Sequence, residues 1–175
     1  IENLKTYTGA IGPEGLPSAE KEKAPVKLTA GQFATLLPGG DTGGAYNLDQ
    51  FLSAVISGMG WEVTPWRLNL MREWAKGEGT GAKFNPLATT MQGGEDLNDP
   101  HWNSNGGNPV KNYKDFQTGV AQTIATFQSD KYYPALKATF ATQQIQPGAS
   151  ENARTWGTIH LADVLDSGKI PDSSG

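Results

Sequence analysis

Apolar residues recur with the period of amphipathic helices between residues 47 and 167. Asn47 precedes the clearest stripe as a helix N-cap, and Gly58 to Gly60 end it. Members of this stripe follow at i, i+3, i+4, i+7, i+8 and i+11: Leu48, Phe51, Leu52, Val55, Ile56 and Met59. This spacing predicts a helix with one buried face.

A second helix is predicted to begin at Thr64 and Pro65, an N-cap residue followed by a proline at the first helical position. Gly79 and Gly81 are expected to end it. One face of this helix carries four apolar residues and one acid: Leu70, Met71, Trp74, Ala75 and Glu78. The apolar stripe therefore runs into a glutamate at the end of the helix.

Three more helices are predicted nearer the end of the chain. Asp115 caps the first, which holds Phe116, Val120, Ile124 and Phe127. The next stripe consists of Tyr132, Ala135, Leu136, Thr139 and Phe140, and a last helix at about 160–167 holds Leu161, Val164 and Leu165. Only residues 110–113 are typical of a strand. The pattern predicts a mainly α fold, with a short strand region and long Gly-rich loops.

The first 28 residues show no hydrophobic period and contain several Gly and Pro residues and the charged run 20–23. Such a segment buries too little apolar surface to offset its ordering entropy. We expect residues 1–28 to form an extended arm or linker and residues 29–175 to form one domain. Thr29 to Gln32 resembles a capping box and predicts a short helix after it.

Composition excludes several classes of protein. The formal net charge of the 175 residues is −4, and there is no Lys/Arg block, which argues against nucleic-acid binding. No run of 18 apolar residues predicts a membrane span. The chain has no cysteine, and His101 and His160 have no partner at metal-ligand spacing, so no metal or cofactor is expected. Ile1 in place of Met suggests a processed product or a fragment of a larger polypeptide.

Glu78 is the residue with the clearest chemical potential. Burial disfavours an ionised carboxylate, and the negative end of a helix dipole does the same. Both raise the pKa, and a carboxylic acid that is protonated near neutral pH is what general-acid cleavage of a glycosidic bond requires. The alternative is a glutamate turned to solvent at the helix end.

Polar segments with aromatic residues follow Glu78. Asn85-Pro86 is a turn signal, Thr89 and Thr90 add hydroxyls, and residues 102–106 and 110–116 are rich in amides and aromatic rings. Amides and hydroxyls bind sugar hydroxyls, and flat rings stack on sugar faces. Trp102 is the better stacking candidate, whereas Trp61 and Trp66 are expected to pack in the core.

Residues from about 47 to 140 resemble the lysozyme-like domains of phage and bacterial peptidoglycan hydrolases. The motifs that carry the resemblance occur in the same order: Trp74 with Glu78-Gly79, Asn85-Pro86-Leu87 with Thr89-Thr90, Asn103-Ser104, Val110 to Tyr113, and Phe116 with Gly119-Val120. This order is also similar to that of bacterial glucosaminidases and soluble lytic transglycosylases. The insertion 105–109 and the acidic stretch 95–99 depart from the pattern.

The resemblance implies a lysozyme-like fold and a glycosidase that cleaves the β-1,4 glycan backbone of peptidoglycan, with Glu78 as the general acid. The residues expected to bind substrate are Asn85, Thr89, Thr90, Trp102, Asn103 and Tyr113. A hydrolase needs a second carboxylate, for which Glu95, Asp96 and Asp99 are candidates, while Glu73 lies on another helix face. A lytic transglycosylase needs none, because a hydroxyl of the sugar attacks.

The alternative is a non-catalytic domain of the same fold that binds cell wall or serves as a structural part of a phage virion. In either case the expected partners are peptidoglycan glycan strands, with other phage virion proteins as further candidates. The expected location is the virion or the bacterial cell wall.

Overall fold

The computed structural model describes residues 46–91, 94–96 and 109–172, and it is mainly helical, as the sequence predicts. The predicted arm at 1–28 and the short helix after Thr29 lie outside these residues. Six helices are described: α1 (Leu48–Gly58), α2 (Pro65–Glu78), α3 (Phe116–Gln128), α4 (Pro134–Thr142), α5 (Ala149–Thr155) and α6 (Ile159–Ser167). Two short strands, β1 (Glu95–Asp96) and β2 (Lys111–Asn112), pair antiparallel.

The predicted N-caps of three helices are confirmed. The side-chain oxygen of Asn47 accepts a hydrogen bond from the backbone N–H of Gln50 at 3.0 Å. Thr64 does the same for the N–H of Arg67 at 3.2 Å, and Asp115 for that of Thr118 at 2.7 Å. Each cap satisfies a donor that the first turn of a helix otherwise leaves unpaired, and is typically worth about 1 kcal/mol.

One apolar core joins the helices, and aromatic rings fill its centre. The ring of Phe127 lies 5.2 Å from that of Trp74 and 5.4 Å from that of Phe140. Trp61 and Trp66 pack against this core as expected. The prediction that Leu48 belongs to the buried stripe is wrong, because this residue is 38% exposed and lies at the solvent edge of α1.

Two details near the end of the chain differ from the sequence prediction. Helix α4 begins at Pro134, so Tyr132 lies in the turn before it and not within the helix. Helix α5 was not expected, because its seven residues bury only Ala149 and Ala153 and show no long stripe. Among the described residues, none of the helices is long and apolar enough to cross a membrane.

The segment after α2 folds tightly onto α3 and β2. A side chain at Gly119 would place its Cβ 2.1 Å from the carbonyl oxygen of Phe84, so only glycine allows this approach. Phe84 and Ala88 have φ angles of 51° and 56°, which are strained for residues with a side chain. The Tyr113 N–H donates to the carbonyl of Lys83 at 2.9 Å. Backbone contacts therefore fix the loop that directly follows Glu78.

Candidate functional site

Glu78 is the last residue of α2, as predicted. Gly79 follows in the left-handed conformation, with φ 55° and ψ 26°, and its N–H donates to the carbonyl of Ala75 at 3.1 Å. The apolar residues that share a face with Glu78 are buried. The glutamate itself is half-buried, so its carboxyl lies between the core and the surface.

Burial raises the pKa of Glu78 from 4.5 to about 7, and interactions with the Thr158 hydroxyl and the Trp74 indole oppose this rise without cancelling it. Loss of hydration is thus the dominant influence on the carboxyl. A pKa of about 7 means that protonated and ionised forms coexist near neutral pH, which suits a residue that transfers protons.

The indole of Trp74 is an unusual neighbour of this carboxyl. Its Nε1 is buried and has no hydrogen-bond partner among the described residues. It nevertheless influences the pKa of Glu78, which lies one helical turn further along α2. A buried N–H without an acceptor is rare and carries a desolvation cost. This donor is therefore available to a carboxylate that moves slightly or becomes ionised.

Thr158 approaches Glu78 from the start of α6. It occupies the N-cap position of that helix, but its side chain makes no capping hydrogen bond. The residue is only 4% exposed, and its hydroxyl instead interacts with the Glu78 carboxyl and lowers the pKa of that group. The Thr158 hydroxyl thus interacts with the Glu78 carboxyl and does not cap its own helix.

Tyr133 is a third neighbour of the acid. Its ring packs edge-to-face on that of Trp74, with centroids 5.2 Å apart and an interplanar angle of 71°. Burial raises the pKa of Tyr133, and the negative charge of Glu78 raises it further. The phenol therefore stays protonated throughout the range in which Glu78 titrates, and remains a hydrogen-bond donor.

Helix α6 is held against the end of α2 by a second contact. His160 Nε2 lies 2.7 Å from Oε1 of Glu73, whose side chain is only 3% exposed. Between Glu73 and Glu78, a side chain on Gly77 would place its Cβ 2.6 Å from the Cβ of His160. The glycine and the hydrogen bond between His160 and Glu73 together allow α6 to pack closely on α2, which brings Thr158 near Glu78.

Three residues expected to bind substrate are buried, two of them in the loop after α2 and the third, Tyr113, directly after β2. Asn85 is fully buried, and its Nδ2 donates to the carbonyls of Thr89 at 2.9 Å and Lys111 at 2.8 Å. Its Oδ1 accepts from the N–H of Thr89 at 2.8 Å. The hydroxyl of Tyr113 contacts that of Thr89 at 2.9 Å and donates to the carbonyl of Met91 at 2.9 Å.

The polar atoms of Asn85, Thr89 and Tyr113 make hydrogen bonds within the protein and help to shape the loop. Their role in substrate binding stays a prediction. Thr90 is half-buried and is the member of this loop group with exposed surface. Trp102 and Asn103 lie outside the described residues.

The candidates for a second carboxylate lie on and after β1. Glu95 is exposed and pairs in register with Asn112, while Asp96 pairs with Lys111. Asp99 lies outside the described residues. Strand β2 pairs with β1 and is also hydrogen-bonded to the loop after Glu78, so β1 lies on the same side of the domain as that loop. A role for any of the three as base or nucleophile stays a prediction.

Within the described ranges, no group of three His, Cys, Asp or Glu side chains could hold a metal ion. The Thr158 hydroxyl and the Trp74 indole are hydrogen-bond donors that favour the ionised form of Glu78, and the charge of Glu78 in turn raises the pKa of Tyr133. The arrangement suits proton transfer from a single acid whose ionised form is then stabilised by its neighbours.

Sequence reasoning singled out Glu78 as a candidate but did not identify Thr158 and Tyr133 as residues that interact with it. Both are far from Glu78 along the chain, and no local spacing connects them with it. The available signal was weak: a threonine before the last helical stripe, which reads as an ordinary N-cap. Comparison of the chain with protein-family models, with curated proteins and with solved structures found no match.

Proposed function

We propose that this chain is a glycosidase that cleaves the β-1,4 glycan backbone of bacterial peptidoglycan, with Glu78 as its general acid. The observation that carries the proposal is the half-buried carboxyl at the end of α2, whose pKa burial raises to about 7. A carboxyl in water is almost fully ionised at neutral pH, whereas this one retains a proton to donate.

In the proposed reaction, protonated Glu78 donates its proton to the glycosidic oxygen as the bond from that oxygen to the anomeric carbon breaks. The electron pair of the bond leaves with the oxygen, and positive charge develops on the sugar ring. The resulting Glu78 carboxylate is stabilised by the Thr158 hydroxyl and the Trp74 Nε1. The unpartnered state of that indole supports the proposal, because ionisation of Glu78 creates its missing acceptor.

Two routes complete the reaction. In hydrolysis a second carboxylate, for which Glu95, Asp96 and Asp99 remain the candidates, either takes a proton from the attacking water or first bonds to the anomeric carbon and is then displaced by water. In a lytic transglycosylase a hydroxyl of the sugar attacks the anomeric carbon, its proton passes to the Glu78 carboxylate, and an anhydro product forms. We propose that the enzyme acts at the bacterial cell wall, either from a phage virion or after release.

The experiment compares wild type with Glu78→Gln on purified cell walls. Gln keeps the size of the side chain but has no acidic proton, so the rate should fall by about 10²–10⁴-fold or more. Glu151→Gln is the matched control, because it makes the same chemical change at an exposed position of α5. Wall clearing by Glu78→Gln at the wild-type rate would overturn the assignment.

Mass spectrometry of the released fragments separates the routes. Reducing ends indicate hydrolysis, and anhydro ends indicate a transglycosylase. A second candidate function, a wall-binding or virion domain without catalysis, is favoured by the 46% exposure of Trp156, an aromatic ring suited to sugar binding. Wall binding without released fragments would support that candidate.

A further inference from the structure

Trp156 is a large aromatic residue that the fold leaves exposed but holds in place. It ends α5 and is 46% exposed. Its Nε1 donates a hydrogen bond of 2.8 Å to the carbonyl of Tyr132. Because this bond and the neighbouring rings fix the indole, Trp156 presents a rigid apolar surface to solvent with little entropy left to lose on binding.

The exposed ring belongs to a row of aromatic residues that leads to Glu78. The Trp156 centroid lies 5.1 Å from that of Tyr132 and 6.5 Å from that of Tyr133. Tyr133 in turn packs on Trp74 at 5.2 Å, and Trp74 lies one helical turn before Glu78. The row therefore leads from the surface to the last turn of α2, which ends at the candidate acid.

A second, independent link places Trp156 near the acid. Trp156 and Thr158 are separated by one residue, so their Cα atoms are at most roughly 7 Å apart. Thr158 contacts the Glu78 carboxyl. Gly157, whose φ is 82°, makes the turn between α5 and α6 that allows Trp156 to face outward while Thr158 is buried.

We infer that Trp156 and Tyr132 form a binding subsite for one pyranose ring of an N-acetylated β-1,4 glycan, beside Glu78. This inference rests on the proposed function and assigns a place to its substrate. The apolar C–H face of a sugar matches a flat, immobile indole, and the phenol and backbone groups at its edge can meet the hydroxyls. Lys131, whose Nζ lies 5.3 Å from the Tyr132 centroid, adds a donor at the rim.

Ile159 provides an exposed aliphatic control close to Trp156 in the sequence. It is 51% exposed and lies three residues after Trp156 at the start of α6. An apolar protein partner would bind both side chains, because both have exposed apolar surface that binding would bury. A stacked sugar needs the ring of Trp156 and gains little from an aliphatic side chain. The two substitutions therefore separate the two kinds of ligand.

The test uses the full chain in the Glu78→Gln background, so that the ligand is bound but not cleaved. Calorimetric titration with a β-1,4-linked N-acetylglucosamine tetramer measures the Kd. We expect Trp156→Ala to weaken binding by about tenfold, Trp156→Phe to retain most of it, and Ile159→Ala to leave it unchanged. Circular dichroism melts accompany each variant.

If Trp156→Ala does not fold, quenching of tryptophan fluorescence by iodide in the Glu78→Gln protein replaces it. The tetramer should protect the fraction of the emission that Trp156→Phe removes.

Unchanged Kd in Trp156→Ala, or no protection, would overturn the subsite even if wild type cleaves walls. Equal losses in Trp156→Ala and Ile159→Ala would also overturn it and indicate a protein-binding surface. Conversely, Trp156-dependent binding with no wall cleavage by wild type would retain the subsite and reject the proposed catalysis.

Discussion

Replacing Glu78 with Gln should stabilise the protein at alkaline pH and leave its stability unchanged at acidic pH. The pKa of Glu78 is about 7 in the folded chain, against an ordinary value of 4.5, so the folded state binds the proton more tightly than the unfolded state. Between pH 4.5 and 7 the unfolded chain loses this proton first. The free energy of unfolding of wild type therefore falls across this window.

The difference between 4.5 and about 7 corresponds to about 3 kcal/mol when the carboxylate is fully formed. Gln is neutral at every pH and does not incur this cost. Near pH 4 the two proteins should unfold at nearly the same temperature, because Glu78 is then protonated in both states. Near pH 8 the variant should melt roughly 6–12 °C higher, which is the shift that 3 kcal/mol produces in a domain of this size.

Thermal melts of both proteins at several pH values between 4 and 8 measure this effect. All other ionisable groups are shared, so their contributions cancel in the comparison. Glu151→Gln, the same chemical change at an exposed position of α5, is the control variant. A difference in melting temperature that is constant with pH, or a wild type that is the more stable at pH 8, would refute the reasoning about the buried carboxyl.

Three further predictions concern activity and the support of the site. The kcat/KM for wall cleavage should fall about tenfold per pH unit above pH 7, as Glu78 loses its proton, and a profile that rises there would contradict its role as acid. Gly77→Ala should lower stability by about 1–3 kcal/mol and reduce cleavage, because the new Cβ would lie 2.6 Å from that of His160; melts and turbidity assays against Gly81→Ala, whose Cβ meets nothing within 4 Å, check this. Asn85→Ala should lower the melting temperature through loss of about 1–3 kcal/mol or more, since it leaves buried partners unpaired, whereas a raised KM with unchanged stability would support Asn85 as a substrate ligand.

The helices could be predicted because their signals are local. Caps such as Asn47 and Thr64 bond to a backbone N–H three residues away, and the apolar stripes depend only on helical spacing. The same rule explains the errors. Tyr132 continues the stripe of α4 in spacing, but Pro134 starts that helix, and no spacing rule distinguishes the two. Helix α5 is too short to show a period.

The candidate site could be predicted only where it follows one helix. Glu78 ends a buried stripe, so its partial burial was visible in the sequence. The packing of α6 on α2, which brings Thr158 to the carboxyl, depends on tertiary contacts. Asn85 shows what local sequence cannot predict. Its position in a turn was clear, but its amide points inward because it donates to a backbone carbonyl of β2.

The use of the Thr158 hydroxyl has a consequence for attempts to improve this protein. Helix α6 lacks a side-chain cap, so a stronger capping residue such as Asp at position 158 would normally be an attractive thermostabilising change. Here the added carboxylate would stand against Glu78 and repel its ionised form. A Thr158→Asp variant selected only for heat resistance would therefore bind the Glu78 proton more tightly and release it less readily. Thermal stability and catalytic turnover thus place opposite demands on the side chain at position 158.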